Sequence, residues 1–210
     1  MFSIFTAVAE ATEHSTCFNY FMKKDGCVLS SADSSTRCKA PAKDHPAPVK
    51  AFSLGSQKNP NQKKSPPSSQ LIRRYDAKKS AFPIGSGDGI CGFYNSTSEL
   101  GVCLWSGAEQ NEPTVKTAGW LNGLKTSNCG KRIHIQRTGK PETVQHVQVL
   151  DGCGFNTVKL DEGCFQIGVT VALFNKFKPS ADEQASQLLF GGLTWDFDNL
   201  DGKSTQQGPV

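Results

Sequence analysis

The sequence predicts a mainly β fold with short helices, preceded by a cysteine-containing N-terminal segment and a Pro/Lys/Ser-rich linker. Two observations carry this prediction. Eight cysteines occur at scattered spacings without a CxxC pair, and apolar and polar residues alternate in several runs after residue 75. An even cysteine count without closely spaced ligand pairs indicates disulfides rather than zinc, and disulfides need an oxidising compartment. We therefore expect no metal, a secreted extracellular protein, and disulfides at Cys17, Cys27, Cys38, Cys91, Cys103, Cys129, Cys153 and Cys164.

The chain divides by composition into four parts. Residues 41–74 contain six prolines and few apolar side chains. Such a segment cannot bury enough surface to offset its chain entropy, so we expect a flexible linker there. Residues 1–40 then form an N-terminal cysteine-containing segment, 75–200 a β-rich domain, and 201–210 a C-terminal tail.

Charge is distributed unevenly along the chain. Residues 1–74 carry eleven Lys/Arg against five Asp/Glu, a net of +6, whereas 75–210 carry twelve against fourteen, a net of −2. A nucleic-acid-binding protein concentrates basic residues on its folded face. Here the excess lies in a polar segment, so we expect no nucleic-acid partner. No stretch approaches the roughly 18 apolar residues that span a bilayer, so no membrane partner is expected.

The N-terminal run MFSIFTAVA leaves two interpretations open. It ends in small residues like those of a cleavage site, but it lacks a basic start and is short for a signal peptide. It is therefore either a truncated signal peptide or a mature N-terminus with its initiator Met.

Strands are predicted where apolar and polar residues alternate. Isoleucines alternate with polar side chains in residues 131–137 (KRIHIQR), and valines do so in 146–149 after the turn-forming TGKP. Two such runs around a turn predict a β-hairpin. Residues 193–197 (LTWDF) predict a closing strand with Trp195 in the core. Residues 165–177 fit a strand by propensity or a helix by the acidic pair before them.

The cysteine count on either side of the linker adds a further constraint. Three cysteines precede residues 41–74 and five follow them. Because both numbers are odd, at least one disulfide must cross the linker if all eight cysteines pair within the molecule. We therefore predict that the N-terminal segment is joined covalently to the β-rich domain.

Several short motifs follow one another in an order known from one protein superfamily. They are Tyr75-Asp76, GSGDGICG at 85–92, NSTS at 95–98, VKTAGWLNG at 115–123 with NCGK at 128–131, VQVLDGCG at 147–154, KLD at 159–161 and GLTWDF at 192–197. This series resembles the rare-lipoprotein-A-like double-psi β-barrels, which include expansins, barwin-type proteins and kiwellins. The polar N-terminal half resembles secreted fungal members of that superfamily.

The resemblance implies a six-stranded double-psi β-barrel over 75–200 and a helix at about 162–174. By analogy with the family it also implies the disulfides Cys91–Cys129 and Cys153–Cys164. The match is incomplete, because the Leu-Ser that the family places after KLD is replaced here by Glu-Gly.

Relatives of this barrel work on or near polysaccharides, and the hydrolases among them need two carboxyl groups. Asp161 matches the position of the family's general acid, and Asp151 and Asp76 are candidate partners, although Asp76 is one residue out of register. The residues also allow a helix N-cap for Asp161 and a loop residue that bonds its own backbone for Asp151. Trp120 either stacks on a sugar or packs in the core. The expected ligand-binding residues are Tyr75, Asp76, Trp120, Asp151 and Asp161.

These features favour a secreted, non-enzymatic, effector-like barrel that binds a cell-wall carbohydrate or an extracellular partner protein. One alternative is a polysaccharide-cleaving or loosening enzyme with Asp161 as general acid. Another is a protein-ligand or inhibitor module. We expect no cofactor and a monomer. The triplet Asn95-Ser96-Thr97 predicts N-glycosylation at Asn95 on an exposed loop.

Overall fold

The computed structural model describes residues 13–39, 75–76 and 83–210. The predicted linker at 41–74, the N-terminal run and the side chains of Tyr75 and Asp76 lie outside this part. The described elements, in chain order, are α1 (Thr16–Asp25), β1 (Tyr75–Asp76), β2 (Pro83–Ile84), β3 (Gly87–Gly89), β4 (Gly92–Tyr94), β5 (Gly101–Trp105), β6 (Arg132–Arg137), β7 (Gln145–Cys153), α2 (Leu160–Gly163), β8 (Ile167–Thr170), α3 (Val171–Lys176), α4 (Ala181–Ser186) and β9 (Leu193–Phe197). Single 3-10 turns lie at Val115–Thr117, Pro141–Thr143 and Thr205–Gln207.

Seven of these strands form one sheet in the order β1-β9-β6-β7-β5-β8-β2, and β3 and β4 form a separate hairpin. Two pairs, β5 with β7 and β2 with β8, are parallel, and the other pairs in the sheet are antiparallel. Parallel neighbours need long crossover connections. The mainly β class with short helices is confirmed.

The alternating runs form the strands that they predict. The β6–β7 hairpin pairs Ile133 with Val147, and β9 lies on the other side of β6. All five residues of β9 are buried, including Trp195 in the core. The predicted helix at about 162–174 is confirmed only at its two ends, where α2 reaches Gly163 and α3 begins at Val171. Its middle is wrong, because Ile167–Thr170 is a fully buried strand between β5 and β2. Strand pairing with β5 and β2 outweighs the helix-favouring acidic pair before this run, and helix α3 begins only at Val171.

The N-terminal segment packs into the same core as the strands. Cys17, Phe18, Phe21 and Val28 are buried in one cluster with the apolar residues of β5 to β9. Further along, the Ser30 hydroxyl donates to the buried Asp196 carboxylate at 2.6 Å. The segment before the linker is therefore an integral layer of the folded structure.

All eight cysteines are disulfide-bonded, as Cys17–Cys164, Cys27–Cys38, Cys91–Cys129 and Cys103–Cys153. The predicted crossing of the linker is confirmed by the first pair, and the predicted Cys91–Cys129 is confirmed by the third. The predicted Cys153–Cys164 is wrong. Cys153 ends strand β7 opposite Trp105 of the parallel strand β5, two residues from Cys103, to which it is bonded. Cys164 is the C-cap of α2 and is bonded to Cys17 of α1.

The predicted C-terminal tail at 201–210 is packed against the domain. Gly208 and Pro209 are buried, and the Asn128 side chain exchanges hydrogen bonds with the backbone of Val210. None of the helices in the described ranges has the length and apolar character needed to cross a membrane.

Candidate functional site

Asp151 lies near the end of β7 and accepts three hydrogen bonds. Its Oδ1 accepts from the N–H groups of Ile90 and Gly152, each at 2.7 Å, and its Oδ2 accepts from the Tyr94 hydroxyl at 3.0 Å. Burial, followed by the charge of Asp151, raises the pKa of Tyr94 to about 12. The bond to Gly152 is the contact with neighbouring backbone that the non-catalytic interpretation of Asp151 predicts, although Asp151 lies in strand β7 and not in a loop. The Asp151 carboxylate therefore joins the β3–β4 hairpin to β7 through hydrogen bonds.

Gly89, in the glycine motif before Cys91, allows the close contact between the β3–β4 hairpin and Asp151. A Cβ atom on Gly89 would lie 2.7 Å from both the Asp151 Cγ and the Tyr94 Cε1. Real Cβ atoms do not approach other heavy atoms so closely, so a side chain at this position would push the hairpin away from the carboxylate. The motif thus has a packing role in the described structure.

Asp161 is exposed and is the second residue of α2. The N-cap of that helix is Lys159, without a side-chain cap bond, so the N-cap interpretation of Asp161 is wrong. Asp161 instead lies near α1. Burial raises the pKa of the Tyr20 hydroxyl, and the charges of Asp161 and then Asp25 raise it further. The structure therefore places Asp151 against the β3–β4 hairpin and Asp161 against the N-terminal helix.

An open cleft of about 550 Å³ lies between α1 and the start of α2. Five of its lining residues come from one face of α1, at spacings of three and four, and the sixth begins α2. They are Thr16, Asn19, Tyr20, Lys23, Lys24 and Leu160. The volume is within the range of roughly 300–1,000 Å³ that is typical of small-molecule sites.

Helix α1 is held firmly at this position. Its N-cap is Ser15, whose hydroxyl accepts from the Phe18 N–H, and it ends at Gly26, whose φ of 73° suits glycine. The Thr16 N–H donates to the Ala118 carbonyl at 2.9 Å, and the Cys17–Cys164 disulfide joins α1 to the end of α2. The two walls of the cleft are therefore covalently linked.

Trp120 does not face solvent, so the expectation that it binds a ligand is wrong. Its side chain is fully buried, and its Nε1 donates to the Cys164 carbonyl at 2.9 Å. Phe21 of α1 stacks on it with ring centroids 5.8 Å apart. Trp105 and Trp195 are buried as well. The N-terminal helix thus covers the face that a sugar ring would need.

Three further predicted site residues, Tyr75, Asp76 and Asn95, lie away from the cleft residues in the sequence. Tyr75 and Asp76 pair through their backbones with Trp195 and Thr194 of β9, and their side chains are not among the described groups. Asn95 is exposed, and its Oδ1 accepts from the N–H and hydroxyl of Thr97. Within the described ranges no group of three or more His, Cys, Asp or Glu is arranged to hold a metal ion.

The cleft residues on α1 were not identified from the sequence. The available signals were Ser15 before and Gly26 after a stretch whose apolar Cys17, Phe18 and Phe21 recur at helical spacing. That pattern predicts an amphipathic helix, and its polar face would follow from the same spacing. Nothing in the sequence says that this face lies beside Leu160.

No protein-family model and no curated protein matches this sequence. Among solved structures, the chain is similar to the Streptomyces papain inhibitor at 17% identity and a TM-score of 0.39. The match covers 60% of this chain and 96% of the inhibitor. A likeness this distant carries no argument about fold or function. The structure itself defines a mainly β, four-disulfide protein with a helix-lined cleft.

Proposed function

We propose that this chain is a secreted, non-enzymatic binding protein built on a double-psi β-barrel, and that its ligand is a cell-wall carbohydrate. The observation that carries the proposal is the difference between two carboxylates. Asp151 accepts hydrogen bonds from three protein donors, whereas Asp161 is exposed beside the cleft. An inverting glycosidase needs a second carboxylate about 6.5–9.5 Å from its acid to activate water. Because Asp151 is engaged by three protein donors, it does not fill that role, which supports a hydrogen-bonding role in ligand binding for Asp161.

The architecture supports the barrel and the compartment. Two parallel pairs reached by crossovers, β2 with β8 and β5 with β7, interrupt an otherwise antiparallel sheet. This mixed topology suits a psi-type barrel better than a simple meander. Four disulfides are typical of proteins that fold in an oxidising compartment. An extracellular, cell-wall-associated or effector-like role fits both features.

A protein partner is the second candidate, and exposed apolar side chains favour it. Phe93 on β4 is 73% exposed, Val158 is 70% exposed and Leu124 is 61% exposed. A partner that buries such side chains removes their apolar surface from water, which favours association. An inhibitor-like or effector-like protein would use such groups as anchors.

The test is to measure binding and cleavage with the same preparation of the full chain. A glycan array reports binding, and release of reducing sugar is followed on cellulose, chitin, β-glucan and peptidoglycan. The variants are Asp161→Asn and, as a matched control, Asp88→Asn, which removes an exposed carboxylate from β3. We expect binding without release, weakened by the first substitution only.

Two results would contradict the proposal. Sugar release that disappears in Asp161→Asn would establish the enzyme alternative. An array without any bound glycan, together with a partner protein that loses affinity when Phe93 becomes serine, would establish the second candidate.

A further inference from the structure

The cleft between α1 and α2 has the features of a preformed ligand site. One wall is a ten-residue helix, and the other is the start of α2. The disulfide Cys17–Cys164 lies one residue from Thr16 and four residues from Leu160, both of which line the cleft. Because this bond and the backbone contacts of α1 fix both walls, little backbone conformational entropy remains to be lost on binding. The site is thus organised before any ligand arrives.

The side chains of the cleft combine an aromatic ring with polar groups of several kinds. Tyr20 is half-buried, and its ring is fixed by edge contacts with Phe21 and Phe165 at 5.2 and 6.2 Å between centroids. Asn19 offers an amide that both donates and accepts, and Lys23 offers an ammonium donor. A fixed aromatic ring beside polar groups suits a ligand with an apolar C–H face and a rim of hydroxyls, which describes a pyranose ring.

Acidic side chains lie next to the cleft, whose own lining includes two lysines, Lys23 and Lys24. Asp25, Asp161 and Glu162, together with Lys159, lie within two positions of lining residues in the sequence. Two of the ion pairs are Lys24 with Asp25 and Lys159 with Glu162, each at 3.5 Å. The three neighbouring carboxylates offset the charge of the two lining lysines, which weakens any electrostatic preference for a polyanion such as a uronic-acid polymer. Its hydrogen-bonding groups instead match uncharged hydroxyls.

We infer that the α1–α2 cleft binds a short, uncharged oligosaccharide, with the Tyr20 ring against a sugar face and Asn19 and Lys23 bonded to its hydroxyls. This inference rests on the proposed function and assigns it a site and a ligand class. The N-terminal segment, which precedes the linker, therefore supplies most of the binding site. The disulfide that crosses the linker positions that site against the barrel.

Isothermal titration of the full chain tests the assignment. The probes are cellotetraose, chitotetraose and laminaritetraose, with tetragalacturonate as the charged comparator. Tyr20→Leu keeps an apolar group against Phe165 but removes the flat ring, and Asn19→Ala removes an exposed amide. We expect each substitution to weaken binding of a neutral tetrasaccharide by about tenfold or more, which is the effect of losing one well-placed contact. Thermal unfolding of both variants shows that they are folded.

The control is Phe190→Leu, which removes an aromatic ring that is 47% exposed and does not line the cleft. It should leave the affinity unchanged. Neutral-tetrasaccharide binding that both α1 variants retain would overturn the cleft assignment and leave the proposed function standing. Binding of tetragalacturonate alone would overturn the uncharged ligand class. No binding of any probe would overturn both the assignment and the carbohydrate proposal.

Discussion

Replacing Glu183 by glutamine tests how strongly α4 is tied to the sheet. Both Glu183 oxygens accept from the Arg137 guanidinium at the end of β6, at 2.8 and 2.9 Å. They also accept from the N–H groups of Phe190 and Ser180, at 2.7 and 2.8 Å. The Glu183 side chain is only 6% exposed and that of Arg137 only 12%. The substitution therefore leaves a buried guanidinium without its counter-charge.

The magnitude follows from the pKa of the carboxyl group. The hydrogen bonds from Arg137, helped by those from Ser180 and Phe190, lower the pKa of Glu183 from 4.5 to about 2 despite burial. That difference corresponds to about 3 kcal/mol of folding free energy. Because the folded-state pKa is the lower one, this stability is present above pH 4.5 and is lost as the pH falls towards 2. About 2 kcal/mol of it is already lost at pH 3.

The assay is urea unfolding at pH 7 and pH 3 with the disulfides intact, followed by the fluorescence of the three buried tryptophans. We expect Glu183→Gln to lower the free energy of unfolding by about 3 kcal/mol at pH 7 and by about 1 kcal/mol at pH 3. The exposed Glu109→Gln is the control and should behave like the wild type. An equal loss at both pH values would refute the electrostatic reasoning.

Two further substitutions probe packing and the Asp151 contact. Tyr94→Phe removes a hydrogen bond to Asp151, so the free energy of unfolding should fall by about 1.5–3 kcal/mol. Ultraviolet titration of the wild type should show a tyrosine that ionises near pH 12, which the variant lacks. Gly163→Ala places a Cβ 2.3 Å from the buried Trp105 ring and should cost about 1–3 kcal/mol in chemical unfolding. Gly123→Ala, where nothing lies within 4 Å, is its control; equal stability of the two alanine variants would contradict the packing argument.

The elements that the sequence predicts well are those with local patterns. The β6–β7 hairpin follows from alternation on both sides of a turn, and β9 follows from LTWDF. The secondary structure of residues 162–174 is harder to predict, because their apolar run suits a helix and a buried strand equally. The neighbours β5 and β2 decide between the two, and they are distant in the chain.

The residues that line the cleft do not include any of the site residues predicted from the sequence. Asp151 and Asp161 were identified, but their roles depend on what lies against them. Asp151 is engaged by the β3–β4 hairpin, and Asp161 lies beside α1. Trp120 is covered by Phe21, a residue about a hundred positions earlier in the chain. A contact over that separation leaves no periodic signal in either segment.

By itself, the sequence determined the mainly β class, the disulfide-bonded state and the covalent link across the linker. The link follows from parity, because an odd number of cysteines on each side leaves no other complete pairing. Only the tertiary structure decided which cysteines pair and where the cleft forms. The parallel pairing of β5 with β7 brings Cys103 to Cys153, so Cys164 bonds to Cys17 and fixes α1 beside α2. Such pairings depend on how separate parts of the chain pack together, and local composition does not encode that packing.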